Sequence, residues 1–158
     1  MDVKHVLSGS VGKRELTRLV RYVGSDPERF KELIEVLKVG TSKQMNSASW
    51  AISYWVEAYP HLAHPHLKQL IRMVNKESAS DALKRNIIRL LQFVDVPKGL
   101  AGEVTDICLR FLQSGAESIA VRVFSITVLH NQSRTYPELG TELRLILEDL
   151  MPFGSAGF

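Results

Sequence analysis

Four groups of side chains have the types and spacing to do chemistry. Trp50, Tyr54 and Trp55 crowd one short stretch, and Glu57 follows two residues later. Exposed aromatic faces stack nucleobases in single-strand binders, so this cluster is a candidate base platform. His61, His64 and His66 lie in His-Leu-Ala-His-Pro-His, three imidazoles in six residues. Imidazole is a common zinc ligand, but Pro60 and Pro65 make this a turn and no Cys, Asp or Glu stands beside it. No metal is expected there. Cys108 is the single cysteine, which excludes an internal disulfide and leaves one thiol to be either nucleophile or core filler. The fourth group is basic: Lys13, Arg14, Arg18 and Arg21, then Lys84, Arg85 and Arg89, then Arg122. Absent from the chain are a phosphate-binding glycine loop, a Gly-x-Ser-x-Gly elbow and a His-Glu-x-x-His helix. The expectation is a protein that is not an enzyme and takes no cofactor.

The elements that must carry these groups are helices. Met45–Tyr59 holds both tryptophans, two of the four tyrosines, one acid and no Lys or Arg, and it stops at Pro60. A helix apolar around so much of its circumference has to be covered on more than one side. Before it, residues 1–12 read as a lead-in interrupted by Gly9 and Gly12. Lys13–Val23 carries Leu16, Leu19, Val20 and Val23 at helical spacing and ends at Gly24. Ser25-Asp26-Pro27 opens the next helix, whose stripe is Phe30, Leu33, Ile34 and Leu37. Helices follow over His66–Asn75, Asp81–Val94, Leu100–Leu112, Ser118–Thr135 and Leu139–Leu150, each break marked by Pro or Gly or by a polar turn.

These helices repeat. Phe30, Leu67, Val104 and Leu143 recur at spacings of 37, 37 and 39. Leu33/Leu70/Ile107/Ile146, Ile34/Ile71/Cys108/Leu147 and Leu37/Val74/Phe111/Leu150 keep step with them. In the intervening helices Leu16, Ile52, Ile87 and Phe124 recur at 36, 35 and 37, and Val20, Val56, Leu91 and Val128 follow. Two registers sharing one period mark a helical solenoid. The period, the paired helices and the proline between them resemble the HEAT/armadillo class of repeats over residues 13–151, as do Ala48-Ser-Trp50, Leu83-Lys-Arg85 and Ala120-Val-Arg122. Asp26-Pro-Glu-Arg-Phe30, the run Lys84–Phe93 and Ala120-Val-Arg-Val-Phe124 look like small, single-domain bacterial HEAT-like proteins. The regular Asp/Arg ladder of long HEAT arrays is missing, so the repeats are degenerate. The expected fold is all-α, a right-handed α-α superhelix of about four HEAT-like hairpins in one domain, with repeats over 13–40, 43–76, 79–114 and 117–151. Terminal hairpins are expected to be the more polar on their outer faces. At the tail two alternatives stay open: a further capping helix follows, or Phe158 folds back on the last hairpin.

The register assigns the reactive groups. Trp55 and Cys108 fall on core columns, and Trp50 shares a column with Arg14, Arg85 and Arg122 that water can reach. In such stacks the second helices line the concave face. Their exposed columns are Lys31/Lys68/Thr105/Arg144 and Glu35/Arg72/Leu109/Glu148, with Glu103, Asp106 and Arg110 on one face of a single helix. Mixed charge suits a protein or peptide and counts against a phosphate-tracking groove. The expected function is a non-catalytic scaffold or adaptor that binds an unidentified protein or peptide through Lys31, Lys68, Arg72, Asp106, Arg110 and Arg144. The alternative is nucleic acid on a ridge of Arg14, Arg18, Arg85 and Arg122. The helical-repeat DNA glycosylases share this class of fold, and resemblance to them implies a carboxylate beside aromatics for a cationic lesion, for which Glu57 is the candidate. The 45% apolar content, a net charge of +3, short apolar runs and no secretory h-region lead to the expectation of a cytoplasmic protein with no membrane partner.

Overall fold

Helix boundaries in the computed structural model, which describes residues 1–155, 157 and 158, follow the local chemistry of the chain. The α-helices are α1 (Val3–Ser8), α2 (Lys13–Val23), α3 (Pro27–Val39), α4 (Ser42–Ala58), α5 (Leu67–Val74), α6 (Asp81–Leu91), α7 (Lys98–Gln113), α8 (Ile119–Ser133) and α9 (Pro137–Leu150). Short 3-10 turns occupy Pro60–His66 and Met151–Phe153, and no strand occurs among the described residues. Side-chain oxygens hold the exposed first-turn amides. Asp26 accepts from Glu28 and Arg29, Ser80 from Leu83, and Ser118 from Val121. Thr41 and Gln44 cap each other's backbone amides at the start of α4. At the end of α2, Gly24 has φ +51°, a backbone conformation that a side chain resists.

The chain forms two compact units, Met1–Val94 and Asp95–Phe158. In the first, α4 is the centre. It packs against α1, α3 and α6. It has eight buried residues, more than any other helix, and Trp55 is fully enclosed with its indole N–H donating to the Gly24 carbonyl at 2.7 Å. Polar side chains tie α4 to α6. Asn86 donates to Ser49 at 2.9 Å inside the core. Arg89 donates to the Ser53 carbonyl at 3.1 Å and to Glu57 at 2.8 Å, and its guanidinium lies 4.6 Å from the Tyr54 ring and 5.3 Å from the Phe93 ring. This serine-asparagine-arginine ladder joins neighbouring repeats where an Asp/Arg ladder was missing from the sequence.

Residues 1–12 are more than a lead-in. Asp2 caps α1, which buries Val3 and Leu7 against α3 and α4. The buried Gln44 amide donates to Ser8 Oγ at 2.6 Å and to the Lys4 carbonyl at 3.4 Å. The two glycines separate α1 from α2; they do not prevent a helix before them.

In the second unit α8 packs between α7 and α9. Val104, Ile107, Cys108 and Phe111 of α7 are buried, as the periodic columns require, and so is Leu143 of α9. Their partners Ile146, Leu147 and Leu150 are only half-buried, while Leu145 is 57% exposed and Phe153 88% exposed. The exposed positions of α9 are mostly polar, among them Glu138, Glu142, Arg144, Glu148 and Asp149, but the helix also keeps an apolar stripe that α8 covers on one side only. Phe158 does fold back, and the Arg122 guanidinium lies 4.5 Å from its ring.

Candidate protein-interaction groove

A depression within the first unit opens where the inter-repeat linkers turn. It measures about 550 Å³, within the range of sites that enclose a ligand. Lys38 reaches it from the last turn of α3, and Arg72 and Lys76 from the end of α5 and the residues after it. Ser42, Met45 and Asn46 enter from the first turns of α4, and Ser80 and Leu83 from the start of α6. Leu37, Met45, Met73 and Leu83 make an apolar floor, and Gln69 and Ser78 complete the polar wall.

The electrostatics of the groove follow from its full charges. The N-terminal ends of α4 and α6 and the C-terminal ends of α3 and α5 meet there, so the partial charges of the helix dipoles largely offset. Three cations line it and no carboxylate does. Lys38 is held at 2.9 Å by Glu35 on the exposed side of α3, an i,i+3 surface pair of small energy. Arg72 and Lys76 make no ion pair among the described residues. Asp81, on α6, pairs with Arg85 at 3.4 Å.

Of the six residues expected to bind a partner, Arg72 lines this groove. Lys31 and Lys68 are exposed on α3 and α5 but stand outside it. Asp106 and Arg110 pair with each other on α7 at 3.5 Å, and Arg144 pairs with Glu148 on α9 at 3.1 Å, all in the second unit. Lys38 and Lys76 went unrecognised in the sequence. Cations near helix C-termini ordinarily complement the dipole, and only the opening between the linkers gives these two a common target. The available signal was their place immediately before the linkers that end in the caps Thr41 and Ser80.

The alternative sets are also placed. Arg14 and Arg18 are exposed on α2. Arg85 is held by Asp81, and Arg122 donates to the Leu112 carbonyl at 3.0 Å and covers Phe158. Trp55 is enclosed, so it cannot stack a base, and the Glu57 carboxylate is occupied by Arg89. Trp50 is half-buried and meets the partly exposed Tyr54 edge-on at 5.8 Å. His61 and His64 are exposed, whereas His66 packs on Phe30 with ring centres 5.7 Å apart. Its pKa is lowered, first by burial and then by Lys38 and Lys31, with Glu35 opposing. Among the described residues no group of three His, Cys, Asp or Glu side chains is arranged to hold a metal. Cys108 is enclosed in the second unit beside Ser125, and burial pushes its thiol up to about 12.

The HEAT repeat domain family matches residues 3–155, nearly the whole chain. The chain belongs to the HEAT-repeat family. The family match also covers α1, which the 37-residue columns left out. No curated protein and no solved structure gives a significant match. HEAT repeats are helical scaffolds that often mediate protein interactions, and they are generally non-catalytic. In this HEAT-repeat chain no described helix is long and apolar enough to cross a membrane.

Proposed function

We propose that the chain is a non-catalytic scaffold that binds a protein or peptide partner through the groove where the inter-repeat linkers of its first unit turn. The observation that carries this is the groove itself: a preformed concavity with an apolar floor, and a rim of three cations of which two lack an internal counter-charge. A rigid surface of this kind binds without a large ordering cost, because helices fix its walls before the partner arrives. Family membership supports the same role. The buried Cys108 thiol and the carboxylate of Glu57, spent on Arg89, supply no nucleophile or free base for a catalytic alternative.

The test is affinity capture from native lysate, with and without nuclease, comparing the natural chain with the Arg72→Glu/Lys76→Glu double variant. A stoichiometric protein that survives nuclease and is lost with the double variant is the expected result. Equal capture by both chains would remove the groove from the account. Partners that vanish with nuclease would transfer the role to nucleic acid and to Arg14, Arg18 and Arg85, the ridge arginines that are exposed.

A further inference from the structure

We infer that the groove's occupant is an acidic peptide segment that carries a large apolar anchor. This rests on the proposed binding role and specifies its chemistry. Charge complementarity is the first argument. Lys38, Arg72 and Lys76 converge on one depression with no lining carboxylate, and Glu35 and Asp81 on the neighbouring turns are already bound to Lys38 and Arg85. A guanidinium and two ammonium groups at one site favour carboxylates, and they repel a basic segment.

The floor supplies the second requirement. Leu37, Met45, Met73 and Leu83 are apolar, and the two methionines are half-buried, so a part of their surface awaits cover. Thioether side chains adapt to the shape of an inserted apolar group. A wholly acidic, polar segment would leave that surface wet. An acidic segment with a leucine-, methionine- or phenylalanine-sized anchor would fill it.

The wall supplies the third. Ser42, Asn46, Gln69, Ser78 and Ser80 offer side-chain donors and acceptors that a peptide main chain can use. Asn46 Oδ1 accepts from Ser80 at 3.0 Å, which leaves its side-chain N–H groups as donors. The Gln69 amide makes no hydrogen bond among the described residues. Nucleic acid is disfavoured on the same observations. No aromatic residue lines the groove to stack a base, and three clustered cations do not make a track along a phosphate backbone.

The experiment is a selection of random peptides by messenger-RNA display on the full chain, followed by fluorescence anisotropy of the enriched peptides. Binding is then measured against the Arg72→Glu/Lys76→Glu variant and against Met73→Asp. The expected consensus pairs Asp or Glu with one large apolar residue. Each variant weakens it by roughly ten- to a hundredfold, the first because charge-assisted bonds are lost and the second because the floor becomes charged. Circular dichroism of both variants checks that they remain folded. Enriched peptides that are neutral or basic yet still weaken in the variants would overturn the acidic assignment and leave the groove as the binding face. Acidic peptides indifferent to both variants would overturn the groove. Failure to enrich any peptide would overturn both.

Discussion

Truncating Trp55 probes the packing on which the first unit depends. Its side chain is fully enclosed between α4 and its neighbours, and the indole N–H donates to the Gly24 carbonyl at 2.7 Å. A buried tryptophan removes about 150–250 Å² from water. At about 25 cal/mol per Å² that is about 4–6 kcal/mol, part of which alanine retains. Gly24 is half-exposed, so water takes over much of the lost hydrogen bond. Trp55→Ala should therefore cost about 3–5 kcal/mol. Trp55→Phe, which keeps most of the volume and loses the donor, should cost about 1–2 kcal/mol. Urea titration followed by far-ultraviolet circular dichroism reads both. Trp50, in the same helix, remains as the only tryptophan, so its fluorescence reports the unfolding of α4 directly. A loss below about 1 kcal/mol in Trp55→Ala would refute the burial, because a surface aromatic costs that little.

Two further outcomes follow from titrating groups. Burial and two lysines lower the folded-state pKa of His66 below its ordinary value of 6.5, so the unfolded chain binds the proton more readily. The contribution of His66 is complete above that value and falls as the pH drops from 6.5 towards the lowered one. His66→Phe should flatten this limb of a thermal-melt series, and an unchanged slope would place the dependence elsewhere. Cys108, pushed up to about 12 by burial, should resist a thiol-specific disulfide reagent at mildly alkaline pH in the native chain. It should react in full once urea unfolds the protein, and rapid native labelling would show that α7 and α8 do not enclose it.

The core was legible because its positions repeat. Columns such as Leu33/Leu70/Ile107 and Ile34/Ile71/Cys108 needed only a period and an apolar side chain, and each of these six residues is buried. The periodic columns match burial less well in α9. Ile146, Leu147 and Leu150 fit the columns by type, but α9 has a neighbouring helix on one side only. Helix α1 was missed for a different reason. It is short, is followed at once by two glycines, and is fixed by contacts to Gln44 and the rest of α4 that are distant in sequence. The same distance hid the Arg89–Glu57 and Asn86–Ser49 links, since a register aligns equivalent positions and says nothing of diagonal pairs. The groove was half-legible. Arg72 stood out on an exposed column, whereas Lys38 and Lys76 acquire a shared role only when two linkers turn towards each other.

The most direct test of the binding claim is site-specific photo-crosslinking in cells. A benzophenone amino acid replaces Gln69, which lines the groove, and in a second chain replaces Arg18 on the exposed face of α2. A discrete protein adduct is expected from position 69, lost when Arg72→Glu and Lys76→Glu are added, and none from position 18. No adduct at position 69, or a nucleic-acid adduct at position 18, would contradict the binding claim.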